Sequence, residues 1–419
     1  LLDEAGRFPT GLIWKLGLHR TCQLVDERKS FQPSLAAAAN LPEGKSLRWY
    51  QKEAVQAFTC MNPINGDMKL GIIESPPGSG KTYLLTDIIA KMRVTTLVVI
   101  DSETLLDQLY KDLRSLLSRP IGRITSQSTD LQDVTIGMVK TIASRFEGLI
   151  DYLNSVDLLV VDECHMYGSK TFYKTIMGIN APMRCGLSGT PTTDDPLRNL
   201  KIEGALGPII YKVPIQALFD EGTLARPIVF PRLFSSDVDL ETDDYTEVYE
   251  DKVVFDPTRL SLIVEDIRFC LQHDLKTLIL VSRENHGTVL QDVINDTLNT
   301  HVEFVWHGTS KAQRAVTIKA FKDNAIRILI GSGILNKGFN VPDIKALLLA
   351  GAEKSEIQNL QKLGRGDRAK EDGSNTFILC DYIDQANKYA LGHGITRLEL
   401  FNSIGAIVKD FNTPLRLEQ

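Results

Sequence analysis

Eight residues, Ser75-Pro76-Pro77-Gly78-Ser79-Gly80-Lys81-Thr82, restrict this chain more than any other stretch. They lie between a short apolar run, Gly71-Ile72-Ile73-Glu74, and a stretch in which Leu84, Leu85, Ile88, Ile89 and Met92 recur on one helical face. Strand, Gly/Pro turn and helix, in that order, form the setting in which a glycine-rich loop cradles phosphate. Gly78, Ser79 and Gly80 let backbone N–H groups crowd around phosphate oxygens with little side chain in the way. The helix N-terminus adds a favourable dipole. Lys81 is then placed to reach β- and γ-phosphates, and Thr82 to set its hydroxyl on Mg²⁺.

A second element reads Val160-Val161-Asp162-Glu163-Cys164-His165. An apolar strand ending in two carboxylates delivers them to the carboxyl edge of a parallel sheet, where ligands bind in α/β folds. Asp162 is expected to hold Mg²⁺, and Glu163 to orient and deprotonate an attacking water. His165 is expected to sense nucleotide state. Together the two elements predict ATP and Mg²⁺ as ligands.

The rest of the chain repeats the strand–helix rhythm. Strands are expected at Thr96–Ile100, Val134–Met138, Leu158–Asp162 and Arg184–Leu187, then again at Thr277–Val281, Val302–Trp306, Ile326–Ile330, Ala346–Ala350 and Thr376–Cys380. Between these groups the strands stop. The expected organisation is a small N-terminal segment over 1–46, a first α/β domain over 47–225, an acidic linker over 226–256 and a second α/β domain over 257–419. A length of 419 residues suits two such cores.

Composition excludes some classes and leaves others open. No uninterrupted apolar run approaches the ~20 residues needed to cross a bilayer, and no cationic-then-apolar leader is visible. The six cysteines are scattered, with no CxxC pair, which argues for a reducing, cytoplasmic setting and against a zinc ribbon. The chain opens on Leu1, so native residues ahead of it are expected. Net charge is −6, not that of an evident nucleic-acid binder, but eight acidic residues and no Lys or Arg fall between Leu233 and Asp251. Without that run the chain is close to neutral.

The DExH letters at 162–165, followed by Ser188-Gly189-Thr190-Pro191, resemble superfamily 2 helicases. Ser332-Gly333-Ile334-Leu335-Asn336-Lys337-Gly338-Phe339-Asn340-Val341-Pro342 looks like that family's motif touching both nucleotide and nucleic acid. Gln361-Lys362-Leu363-Gly364-Arg365-Gly366-Asp367-Arg368 is similar to its arginine-finger motif, with Lys362 where Arg is usual; the charge is kept and bidentate geometry lost. Leu47-Arg48-Trp49-Tyr50-Gln51 resembles the adenine-side motif, in which Gln51 reads the base. Ser75 stands where the general phosphate-loop pattern has Gly, and the family tolerates a small residue there.

The resemblance implies two tandem RecA-like domains with mainly parallel sheets. It also implies a nucleotide site completed by Gly338, Gln361, Arg365 and Arg368 from the second domain. An arginine delivered in this way is worth about 10³–10⁵ in rate. Ser102, Thr141, Ser282, Arg283, His307 and Ser332 sit at positions resembling the family's contacts to the nucleic-acid backbone, where sequence-independent tracking is expected.

Glu203-Gly204-Ala205-Leu206-Gly207-Pro208 resembles the XPB-like DNA translocases. Gly6-Arg7-Phe8-Pro9-Thr10-Gly11-Leu12 looks like the tail of the small DNA-engaging domain in their phage relatives, the UvsW-like branch-migration helicases. Forked or branched DNA is therefore the expected partner, with recombination or replication proteins beside it and no membrane. A viral-type DExH RNA helicase, which shares the DECH letters, and the motor subunit of a restriction enzyme stay open as alternatives.

Overall fold

The computed structural model describes residues 8–15, 46–60, 69–193, 195–237, 249–332, 344–351, 375–386 and 388–417. The chain divides into two compact units, Leu1–Pro214 and Ile215–Gln419.

In the first unit the strands are β1 (Leu70–Glu74), β2 (Thr96–Ile100), β3 (Ile121–Ile124), β4 (Thr129–Asp130), β5 (Val134–Met138), β6 (Leu158–Asp162), β7 (Met183–Ser188) and β8 (Ile209–Lys212). They lie side by side in the order β4-β3-β5-β2-β6-β7-β1-β8. Every pairing is parallel except the short β3–β4 ladder. Alternation of side chains across the pleat explains the near-continuous apolar strands. Val98, Val160 and Leu187 pack with Val55, Ile88 and Leu106 on one face, from helices Trp49–Thr59, Lys81–Met92 and Glu103–Leu116. Leu97, Leu159 and Val161 pack with Leu153, Ile176 and Ile202 on the other.

Residues 8–15, expected to stand apart from this domain, are docked on it. Their turn, Thr10–Leu12, lies so close to helix Pro196–Leu206 that a Cβ on Gly11 would sit 2.1 Å from the Glu203 carbonyl oxygen. Leu12 is buried, and Lys15 pairs with Glu203.

In the second unit the strands are β9 (Arg226–Phe234), β10 (Thr277–Leu280), β11 (Glu303–Val305), β12 (Ile328–Gly331), β13 (Ala346–Leu349), β14 (Thr376–Asp384) and β15 (Ile407–Val408). Their order is β11-β12-β10-β13-β14-β9-β15, parallel throughout. Ile279, Ile330 and Leu348 pack with Ile263 and Leu290 on one face; Leu278, Leu329 and Leu347 pack with Phe321 and Phe401 on the other. Two mainly parallel α/β sheets in tandem are the RecA-like architecture the motifs imply.

The expected linker over 226–256 needs correction. Its front is β9, which pairs along nine residues with β14 inside the second sheet, and the division between units falls at Pro214/Ile215 rather than at 225/226. Pro227 and Pro231 gave the stretch the look of a break. Both lie on the side of β9 turned away from β14: Val229 and Pro231, at the same parity, offer their carbonyls to the N–H groups of Lys409 and Asn412, while Arg226 donates toward β14 at Asn375. Among the described residues that outer side meets the two-residue β15 and Asn412, so a missing N–H costs the ladder little. Helix Pro257–Gln272 begins where expected, capped by the Asp256 carboxylate accepting from the Arg259 N–H at 2.8 Å.

One buried group makes the second unit acid-sensitive. His286, fully enclosed in helix Glu284–Leu298, is lowered to about 3 by burial and then by the neighbouring Arg259 guanidinium. In the unfolded chain it titrates near 6.5. The unfolded state therefore binds the extra proton first, so stability is whole above pH 6.5 and is lost as pH falls toward 3. Urea unfolding at pH 7 and pH 5 should differ by about 2 kcal/mol from this group alone. His286→Gln should flatten that slope, and an unaltered slope would refute the assignment.

Candidate phosphate and nucleic-acid site

The candidate site residues of the first unit gather at the carboxyl edge of its sheet. After β1 the backbone turns through Gly78 and Gly80, at φ 80° and 78°, and enters helix Lys81–Met92. The left-handed region favours glycine. At Gly80 a Cβ would also fall 2.4 Å from the Gln51 Nε2 atom. Gln51 is buried and braces the loop: Nε2 donates to the Ser79 carbonyl at 2.7 Å, and Oε1 accepts from the Arg48 N–H at 2.9 Å. The Ser75 hydroxyl lies 2.6 Å from that of Ser79, which donates to the Pro76 carbonyl, and the Ser75 N–H donates to Ser188 on β7 at 2.7 Å. The small residue in place of glycine is thus a structural tie.

β6 ends in the two carboxylates. Glu163 adopts φ 47°, ψ 50°, a strained setting for a non-glycine residue and one that recurs at functional sites. Its N–H donates to Asp162 Oδ1 at 3.0 Å. Strands β6 and β1 flank β7, so at the usual spacing of ~4.8 Å they lie about 10 Å apart. Lys81 spans that gap, and its Nζ meets Glu163 Oε1 at 2.9 Å. His165 Nδ1 lies 2.9 Å from the Ser188 hydroxyl, which also accepts from the Thr190 N–H at 3.1 Å. Arg198 donates to the His165 carbonyl at 2.8 Å.

The donor set fits magnesium. Mg²⁺ takes hard oxygen ligands, binding through one or two carboxylates plus substrate phosphates. Thr82, at the start of the helix, and Asp162 supply such oxygens. Among the described residues there is no cluster of three His, Cys, Asp or Glu side chains that could cage a metal alone. Cys164 is fully buried; burial, then the nearby Glu163 carboxylate, pushes its thiol upward and keeps it protonated.

The strand order continues the edge. Ser102 follows β2 and opens helix Glu103–Leu116; Thr141 follows β5 inside helix Val139–Ser144 and is largely buried. With β5, β2, β6, β7 and β1 adjacent, these two hydroxyl residues lie to one side of Asp162 and the phosphate loop to the other. In the second unit, His307, Ser332 and Ser282 follow the neighbouring strands β11, β12 and β10, again at the carboxyl ends. His307 is exposed against the edge of Trp306, and Ser332 is buried with its N–H on the Val305 carbonyl. Arg283 caps helix Glu284–Leu298 and lies over the Tyr249 ring. Gly338, Gln361, Arg365 and Arg368 lie outside the described residues. Sequence reasoning did not single out Arg198 or Tyr249, which carry no local signal and matter only through what they touch.

Comparison with known proteins agrees with this geometry. Residues 44–193 match the family described as type III restriction enzyme, res subunit, and residues 260–370 match the helicase conserved C-terminal domain. The chain is 26% identical over 360 residues to the DNA 3'-5' translocase XPB2 of Sulfurisphaera tokodaii, covering 78% of this chain and 79% of that one. It is 22% identical to the ATP-dependent DNA helicase uvsW of Enterobacteria phage T4, covering 89% and 79%. It spans between 56% and 63% of the length of three further relatives. The helicase domain of Pyrococcus furiosus Hef has the same fold, with a TM-score of 0.56 at 12% identity over 82% of this chain and 96% of that one. Among the described residues no helix is long and apolar enough to cross a membrane. A phosphate loop facing a DExH strand end in one RecA-like unit and a helicase C-terminal domain in the other give the chain the two helicase domains of an ATP-hydrolysing enzyme, similar to the superfamily 2 helicases.

Proposed function

We propose that this chain is an ATP-dependent DNA helicase or translocase acting on branched DNA, in fork remodelling, branch migration, recombination or repair. The observation that carries the reading is the reach of Lys81 across β7 to Glu163, on the same sheet edge that leads to Ser102 and Thr141. A phosphate-handling group and candidate strand contacts on one edge favour coupling of hydrolysis to movement. DNA is favoured over RNA by the relatives, one a DNA translocase and one a DNA helicase.

In this reading the loop amides at Gly78, Ser79 and Gly80 receive the phosphates of ATP, with Gln51 bracing the loop and facing the base. Lys81 exchanges Glu163 for phosphate oxygens, which releases the carboxylate to take a proton from the attacking water. Thr82 and Asp162 hold Mg²⁺, which neutralises charge on the β- and γ-oxygens when bound. His165, 3.4 Å from the Glu163 carboxylate, links it to Ser188 on β7. Arg365 and Arg368 stabilise the charge of the transferred phosphoryl group, and Gly338 and Gln361 complete the nucleotide contacts. Ser102, Thr141, Ser282, Arg283, His307 and Ser332 touch the sugar–phosphate backbone.

The deciding experiment is ATP turnover against fork, four-way junction, duplex and single-stranded DNA, and single-stranded RNA. Fork or junction DNA should stimulate several-fold more than RNA. Equal or greater stimulation by RNA overturns the DNA assignment. The match of residues 44–193 to a restriction-enzyme subunit favours a second reading, a restriction motor. Mg²⁺-dependent cutting of DNA by the purified chain would carry that reading and displace the first.

A further inference from the structure

Arg283 stands out among the candidate backbone contacts because of what lies beneath it. Its guanidinium carbon is 4.1 Å from the centre of the Tyr249 ring. Tyr249 is 2% exposed, so its ring is a fixed platform rather than a passing neighbour. Its hydroxyl lies 3.4 Å from His286 Nδ1, and the two rings meet edge to face at 6.1 Å. The turn that follows, Glu250–Val254, is pinned to the same helix. Glu250 accepts from the Asn285 side-chain amide at 3.3 Å, and buried Val253 and Val254 pack with Val289. All of these groups belong to the second unit.

A free arginine side chain samples many rotamers, and ordering it weakens any bond it makes. A guanidinium lying flat on an aromatic ring loses that freedom beforehand, while its in-plane N–H groups stay directed outward for bidentate bonding to phosphate. Partial desolvation by the ring also strengthens the cation–π attraction. Arg283 is besides the N-cap residue of the fifteen-residue helix Glu284–Leu298, after β10, where the helix dipole favours an anion.

We propose that Tyr249 is a positioning residue that presents Arg283 to a backbone phosphate of the bound strand. The inference rests on the reading of Arg283 as a nucleic-acid contact, and the test separates the two. The measurements are binding of a labelled DNA fork across a salt series, and the fork concentration that half-saturates ATP turnover. Tyr249→Leu keeps apolar bulk but removes the π face; Tyr249→Phe keeps the face and loses only the hydroxyl.

Tyr249→Leu should raise the half-saturating fork concentration about three- to tenfold, with turnover at saturation within about twofold of the parent and the salt slope unchanged, because the charge remains. Tyr249→Phe should restore binding to within about twofold. Arg283→Ala should weaken binding and lower the salt slope by about 1, and adding Tyr249→Leu to it should have no further effect. If Arg283→Ala weakens binding while Tyr249→Leu does nothing, or if the two effects multiply, the positioning role is overturned and the contact stands. If Arg283→Ala changes neither affinity nor slope, the contact itself is wrong and the positioning role goes with it. Thermal melting of each variant guards against misfolding; a Tyr249→Leu protein that binds weakly only in proportion to lost folded fraction also overturns the proposal.

Discussion

Glu163→Gln should lower the ATP turnover number by about 10²–10⁴ while ATP binding stays within a few-fold of the parent. The substitution is close to isosteric, and the unusual backbone at this position, φ 47°, depends on the strand end rather than on the carboxylate. An amide oxygen can still accept from Lys81, which now reaches Glu163 at 2.9 Å. What disappears is the capacity to take a proton, so the loss should fall on chemistry rather than affinity. Steady-state ATP hydrolysis with saturating fork DNA, beside a fluorescent-nucleotide titration, separates the two. Lys81→Ala should behave oppositely in one respect: it takes away the proposed phosphate contact as well, and nucleotide affinity should fall with turnover. Near-parent turnover in the Glu163→Gln protein would remove Glu163 from the role of base.

Asp266→Ala should destabilise the second unit by about 3–5 kcal/mol, since it strands a buried guanidinium. Arg232 on β9 donates through Nε and a terminal nitrogen to the two oxygens of Asp266, and through its other terminal nitrogen to the Thr413 carbonyl at 2.7 Å. Tyr382 on β14 donates its hydroxyl to the same carboxylate at 2.9 Å. All three side chains are buried. One carboxylate therefore satisfies charge and hydroxyl together across two adjacent strands and helix Pro257–Gln272. The expected loss is a large share of the roughly 5–15 kcal/mol that stabilises an ordinary domain. Of the three tryptophans only Trp306 lies in the second unit, which offers a local reporter for urea unfolding if Trp14 and Trp49 are replaced. Combining Asp266→Leu with Arg232→Met should recover most of the loss, because a packed apolar pair does not carry the desolvation penalty of a charge. A single Asp266→Ala change of under about 1 kcal/mol would show that water reaches Arg232.

Such a network also shows why the division between domains was misread. Arg232 and its strand looked like the start of a connector, flanked as they are by Pro227, Pro231 and the acidic run. The partners of Arg232, namely Asp266, Tyr382 and Thr413, are 34, 150 and 181 positions away in the chain, and no local pattern joins them. β3 and β8 were missed for a related reason. Ile121-Gly122-Arg123-Ile124 is broken by Gly and Arg, and Ile209–Lys212 follows a Gly-Pro turn and ends in Lys, so neither offers the apolar run of the equally short β10, β12 and β13. The longer apolar runs that became β1, β2, β5, β6 and β14 carried their own signal.

Chemistry that depends on neighbours in the chain was written in the residue order: a glycine loop between strand and helix, and two carboxylates closing an apolar strand. Those features pointed to an α/β fold and to a phosphate-bearing nucleotide, because backbone geometry over ten residues is a local matter. Tertiary structure alone decided that Lys81 meets Glu163 across an intervening strand, that Gln51 braces the loop at Ser79, and that Tyr249 lies under Arg283. Those pairs depend on which strands become neighbours, and that is set by burial of whole faces against helices, a property of the assembled sheet that no short window of residues contains.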